Sequence, residues 1–300
     1  MKLKITLLAL ASAAVCLTAC NDDFFDQVPD DRITIEQVFQ RTSYSEKYLA
    51  TVYGYIKDES HRTSPIPWDP CSDDLDVTYD REDYNSFKIN LGNWSASSNY
   101  YEFWSHFYRG IRSATYFIQH IGENQEMLND PTRGPLVVEQ YKNEARFLRA
   151  YFYWMALDVF GDVPFTTENS PFGGGVNPKQ ASRKDVFDYC ISELTALAAD
   201  DSPMPAARSN YPRADKGAVL GLLARIYLNA EVYTGTPMWQ EAKDACEDIF
   251  TMGYSLCPEY ADLFRGDNGE NPEALNEVLF GISYDAEQTQ SYGGTSYITL

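Results

Sequence analysis

The segment from Glu144 to Phe165, EARFLRAYFYWMALDVFGDVPF, constrains the fold more than any other stretch of the chain. Tyr141, Ala145, Leu148, Phe152, Met155 and Val159 recur at alternating steps of four and three, so they line one face of a helix. Gly161 can take the left-handed turn that ends a helix, and Pro164, which lacks an N–H, keeps it from resuming.

The same period returns elsewhere. Thr34-x-x-Gln37 has capping-box form, and Tyr48, Leu49, Val52, Tyr53 and Ile56 extend it into a first helix over 35–57. Tyr101, Trp104, Phe107, Tyr108, Ile111 and Ala114 carry a second to about Ile121, and Pro131 to Pro135 breaks the chain before the Glu144 helix. Ser182-x-x-Asp185 caps another, with Phe187, Cys190, Ile191, Leu194, Leu197 and Ala198 inward. Ala214 to Ala230 is apolar on nearly every side, and Gly217, Gly221 and Ala224 offer a small-residue face for a neighbouring helix. Thr236-Pro237 places a cap and a first-turn proline before a helix with Ala242, Ala245, Ile249 and Phe250 inward. Antiparallel helix pairs recurring at roughly 34 to 45 residues are the mark of tetratricopeptide-like arrays. The fold class is therefore mainly all-α, in one domain, with a long aperiodic stretch from Lys57 to Asn99 forming irregular loops.

Residues 1–19 read as a signal segment: Lys2 and Lys4, then an uncharged apolar run from Ile5 to Leu17, too short to span a bilayer permanently. Leu17-Thr18-Ala19-Cys20 looks like a bacterial lipobox, which makes Cys20 the expected acylation site and 20–300 the mature domain. The segment takes two lysines and no acid with it, moving the net charge from −20 to −22. That balance, with no basic run, argues against nucleic acid and favours a neutral or cationic ligand. Cys71, Cys190, Cys246 and Cys257 show no C-x-x-C, so a core rather than a disulfide framework must hold the fold. A Cys246–Cys257 bridge is conceivable, although Cys190 and Cys246 fall on apolar helix stripes.

Several blocks together resemble the SusD/RagB family of outer-membrane nutrient-binding lipoproteins. They are the acidic Asn21-Asp22-Asp23 tether, Asp30-Asp31-Arg32-Ile33-Thr34, Ser72-Asp73-Asp74, FWSHFYRGIRSATYFI at 103–118 and the 144–165 segment. Arg213 to Ala218, Leu-Leu-Ala-Arg-Ile-Tyr-Leu at 222–228 and Asn276-Glu277-Val278-Leu279-Phe280 complete the set. The resemblance implies tetratricopeptide-like helix pairs carrying a less regular ligand-binding half. It also implies a surface lipoprotein that hands oligosaccharide or polysaccharide to a SusC-like TonB-dependent transporter. Family members run to about twice the mature length, which points to a chain lacking its C-terminal part.

Sugars present apolar C–H faces and hydroxyl rims, so their binders offer flat aromatic platforms beside amides and carboxylates. The 57–100 stretch meets this need, and the family draws glycan contacts from it. Trp94 with Asn93 is the first candidate and Trp68 with Asp73 and Asp74 the second; Tyr284 and Tyr292, beyond the Glu-Val-Leu-Phe-like strand, follow. Each has a plainer reading, as a loop seal or a solvated acid. Trp104, Trp154 and Trp239 lie in helical patterns and are assigned to packing. His61, His106 and His120 show no H-E-x-x-H spacing, and neither G-x-S-x-G nor a P-loop is present, so no catalytic residue, metal or cofactor is expected. The other readings are a RagB-like binder of peptides or glycoprotein fragments, a tetratricopeptide scaffold without a small ligand, and a glycoside hydrolase using two of the 44 acids.

Overall fold

The computed structural model describes residues 33–56, 92, 101–132, 134–170 and 177–283. Helix α1 spans Ile35–Val38 and α2 Thr42–Gly54. The capping box forms, with the Thr34 N–H donating to Gln37 Oε1 at 3.0 Å. The single helix expected over 35–57 is instead split at Phe39–Arg41. Phe39 turns its ring inward against Tyr48, Tyr116 and Phe117. The Ser45 hydroxyl donates to the Val38 carbonyl at 3.0 Å, and the Glu126 carboxylate accepts the Thr42 N–H at 3.2 Å, so both broken ends are satisfied.

Helix α3 covers Tyr101–His120, a 3₁₀ turn Ile121–Glu123, α4 Gln125–Leu128 and α5 Gly134–Phe160. The stripe read from the sequence is inward, with Val159 half-buried. Phe147, Ala150, Tyr153, Ala156 and Leu157 are buried as well, so α5 is enclosed on nearly every side and forms the central member. It runs antiparallel to α3: the Trp104 ring meets Phe160 at 5.2 Å, and six residues on, Gly110 lies against Phe152.

Gly161, at φ 73°, ends α5 in the expected left-handed turn. Strands β1 (Val163–Pro164) and β2 (Gln180–Ala181) then pair antiparallel, Val163 opposite Ala181. They deliver the chain to α6 (Arg183–Ala198), whose Ser182–Asp185 capping box is present. Arg183 closes the junction. Its Nε and Nη2 donate to the Leu157 and Asp158 carbonyls at 2.9 and 3.1 Å, supplying at the C-terminus of α5 a cation that α5 lacks. Cys190 Sγ against the Ala150 carbonyl and Arg146 against Glu193 continue α6 antiparallel along α5.

Helix α7 (Lys216–Leu228), capped by Asp215, leads through α8 (Ala230–Thr234) to α9 (Trp239–Thr251). A 3₁₀ turn at Tyr260–Phe264 and α10 (Pro272–Leu275) complete the elements. Helix α5 packs on α3 and α6, α6 on α7, and α7 on α9, so helix pairs stack in order along the chain, as a mainly helical tetratricopeptide-like architecture requires.

Local expectations fail in the last third. Helix α9 starts at Trp239 with Met238 as its N-cap, not at Thr236-Pro237, because Thr234 ends α8 and its hydroxyl takes the Thr236 N–H. Phe250 is exposed rather than inward, and Trp239, assigned to packing, is 60% exposed at the first turn of α9. On the small face of α7 the glycines are covered by irregular chain rather than by a neighbouring helix: Gly217 by Tyr254 and Gly221 by Leu279, both from beyond α9. Asn276–Phe280 is not a strand. Cys190, Cys246 and Cys257 are free thiols, and Cys246 is only half-buried.

Candidate functional site

Trp94, Asn93, Trp68, Asp73, Asp74, Tyr284, Tyr292 and Cys20 all lie outside the described residues. The described residues do assemble a polar cluster and a cavity that the sequence reading missed. Glu144, on the inward side of α5, is 1% exposed yet ionisable. Arg213, in the turn before α7, grips it with two bonds, Nε to Oε2 at 2.8 Å and Nη2 to Oε1 at 2.6 Å. Tyr53 of α2 donates its hydroxyl to Glu144 Oε2 at 2.6 Å, and the Tyr53 hydroxyl oxygen in turn accepts the Ala214 N–H at 2.8 Å. Three segments distant in sequence are thereby tied to one carboxylate.

Burial pushes the Glu144 carboxyl above its ordinary range, with Arg213 and Tyr53 opposing. Burial also lifts the Tyr53 hydroxyl, and the neighbouring carboxylate lifts it further, so Tyr53 stays a donor. Burial works against the charge of Arg213, and Glu144 more than restores it. The guanidinium also lies 4.4 Å from the centre of the Tyr141 ring, whose hydroxyl donates to Glu46 Oε1 at 2.9 Å.

Above this cluster opens a cavity of about 430 Å³, walled by α2 (Glu46, Leu49, Ala50, Tyr53), Tyr141, Pro212, Arg213 and Gly281 to Ser283. A second hollow, about 510 Å³, lies on the other side of Phe280 between α5 and α7 and is lined by Phe147, Tyr151, Trp154, Arg225 and Glu277. Phe280 divides the two, its ring 6.3 Å from Tyr53 and 5.3 Å from Phe147. Glu144 opens the 144–165 segment and Arg213 opens the Arg213–Ala218 block. The two lie 69 positions apart in blocks that carry other charges, so no local pattern pairs them.

A further network braces α5 against α6. Arg149, 1% exposed, bonds Glu168 at 2.5 Å and Glu193 at 3.3 Å, while Arg146 bonds Glu193 at 3.0 Å. Burial raises the Glu168 carboxyl, but the bond and charge of Arg149 more than offset this and hold it below its ordinary value of 4.5. A depressed folded-state pKa gives stability that is present above the unfolded value and lost as pH falls through the folded one. The melting-temperature gap between the parent and Glu168→Gln is therefore expected to be widest near neutrality and to close below pH 4.5. A calorimetric pH series with a constant gap would contradict that linkage. Among the described residues no cluster of His, Cys, Asp and Glu is arranged to hold a metal, and no helix is long and apolar enough to cross a membrane.

A family model described as starch-binding and associating with the outer membrane matches residues 23–228. The starch-binding protein SusD of Bacteroides thetaiotaomicron is 36% identical over 171 residues, 56% of this chain and 30% of that protein. The solved structure of a SusD-like protein from Bacteroides fragilis superposes with a TM-score of 0.67 at 20% identity, over 86% of this chain and 47% of that one. A laminarin-binding SusD-like protein does so with a TM-score of 0.62 at 18% identity, over 80% and 51%. The chain thus spans about half or less of the length of these relatives. With most of its length under one family model and its stacked helix pairs shared with these structures, the chain belongs to the SusD-like family.

Proposed function

We propose that this chain captures oligosaccharide at the outer membrane and passes it to a SusC-like TonB-dependent transporter, without cleaving it. The observation that carries the reading is the family match over 23–228, which begins three residues after the lipobox cysteine and is described as starch-binding at that membrane. Acylation of Cys20 supplies the anchor, since more than one acyl chain is needed for stable attachment. The starch-binding relative and the laminarin-binding neighbour favour neutral glucans. Trp94 with Asn93 forms the leading platform, Trp68 with Asp73 and Asp74 the next, and Tyr284 and Tyr292 a further contact. The apolar face of a sugar ring on an indole and the hydroxyls on the flanking polar groups account for that composition.

Affinity electrophoresis in gels containing amylopectin or laminarin tests this. The parent is expected to be retarded and to release no reducing sugar, and Trp94→Ala is expected to lose roughly tenfold in affinity, the equivalent of about 1.4 kcal/mol. A parent that migrates unretarded through every polysaccharide, or one that liberates reducing ends, would refute the capture reading.

A further inference from the structure

The cavity above Glu144 has a composition that selects its ligand. Leu49, Ala50, Pro212 and Ile282 supply its apolar lining. Its polar wall presents both signs together, the Glu46 carboxylate as acceptor and Arg213 as donor. Arg213 commits Nε and Nη2 to Glu144, so a buried carboxylate already matches its charge. A guanidinium has five N–H groups, and this side chain is 36% exposed, which leaves donors for a guest. With the charge of Arg213 already matched by Glu144, an entering anion loses hydration without gaining an unmatched cation there. A neutral guest carrying hydroxyl donors and acceptors on an apolar ring incurs no such cost. The volume of about 430 Å³ lies toward the small end of the roughly 300–1,000 Å³ typical of ligand pockets, enough for the end of a chain and not for a long stretch of one.

We infer that this cavity, built by α2, α5 and the Pro212–Arg213 turn, seats the terminal sugar unit of an uncharged oligosaccharide. The inference rests on the glycan-capture reading above and adds a site made from neither Trp94 nor Trp68.

The test is titration calorimetry on the full chain in detergent, with maltoheptaose and laminarihexaose as neutral probes and an oligogalacturonate as the anionic one. Ala50 is exposed on α2 while lining the cavity, so Ala50→Trp fills the space from the solvent side, and its thermal melt reports that the fold is kept. Ala50→Trp is expected to weaken a neutral probe roughly tenfold or more. Glu46→Gln, which keeps an acceptor for Tyr141, is expected to narrow the preference for neutral over anionic probe. If the parent binds a neutral probe and Ala50→Trp binds it equally well or better, the cavity assignment falls and glycan capture stands. If the parent holds oligogalacturonate as tightly as maltoheptaose, the stated ligand class is wrong. If the parent binds none of the probes, glycan capture itself fails and this site with it.

Discussion

Arg213→Ala is expected to destabilise the protein by about 3 kcal/mol at pH 8, because it strands a carboxylate that is 1% exposed. That figure is the low end for breaking a buried pair, chosen because Arg213 itself is partly exposed. The cost should depend on pH in a definite direction. Burial already raises the Glu144 carboxyl, and losing the guanidinium that opposes this raises it further. A group whose folded pKa lies above its unfolded value contributes stability at low pH that is lost as pH rises through the folded value. Urea denaturation should therefore find the variant much closer to the parent at pH 5 than at pH 8. Replacing the stranded acid in the same background, Arg213→Ala with Glu144→Gln, should recover part of the loss at pH 8 and remove its pH dependence. Equal deficits at both pH values would mean that Arg213 acts by packing on Tyr141 instead.

The second large effect lies where α3 crosses α5. Phe152 is fully buried, and Phe152→Ala is expected to cost about 4 kcal/mol through lost transfer energy and the cavity left behind. Gly110 lets the ring approach, since a Cβ there would lie 2.5 Å from its edge, and Gly110→Ala should cost about 1–3 kcal/mol by overpacking. The two must be coupled: with the ring gone, the added methyl enters open space and its penalty largely disappears. A double-mutant cycle by chemical denaturation should give an interaction of at least about 1 kcal/mol. Additive losses would place the strain of Gly110→Ala somewhere other than Phe152.

The helices were legible because their signals are local. The Thr34 and Ser182 boxes, the Glu144 stripe and the Gly161 stop each depend on residues within a few turns, and each forms as expected. The failures share a cause. Gly217 and Gly221 do form a close-packing face, but the sequence could not say that Tyr254 and Leu279, from irregular chain beyond α9, would occupy it. Phe250 fits an inward period and is exposed, because period marks a face and not what covers it. The polar cluster was invisible for the same reason: Glu144, Arg213 and Tyr53 meet across separations that no spacing rule addresses. The candidate glycan residues rest on loop composition and family likeness, and binding measurements on their variants are the direct route to them.

The bond between the Tyr53 hydroxyl and the Ala214 N–H joins residues 161 positions apart. At roughly 5–20 residues per second of synthesis, on the order of 10–30 s passes between the emergence of α2 and that of its anchor. During that interval the inner face of α2 has no acceptor at Glu144 that is yet balanced by Arg213. The N-terminal helices thus wait on the middle of the chain, and any factor that shields nascent apolar surface has its longest task there.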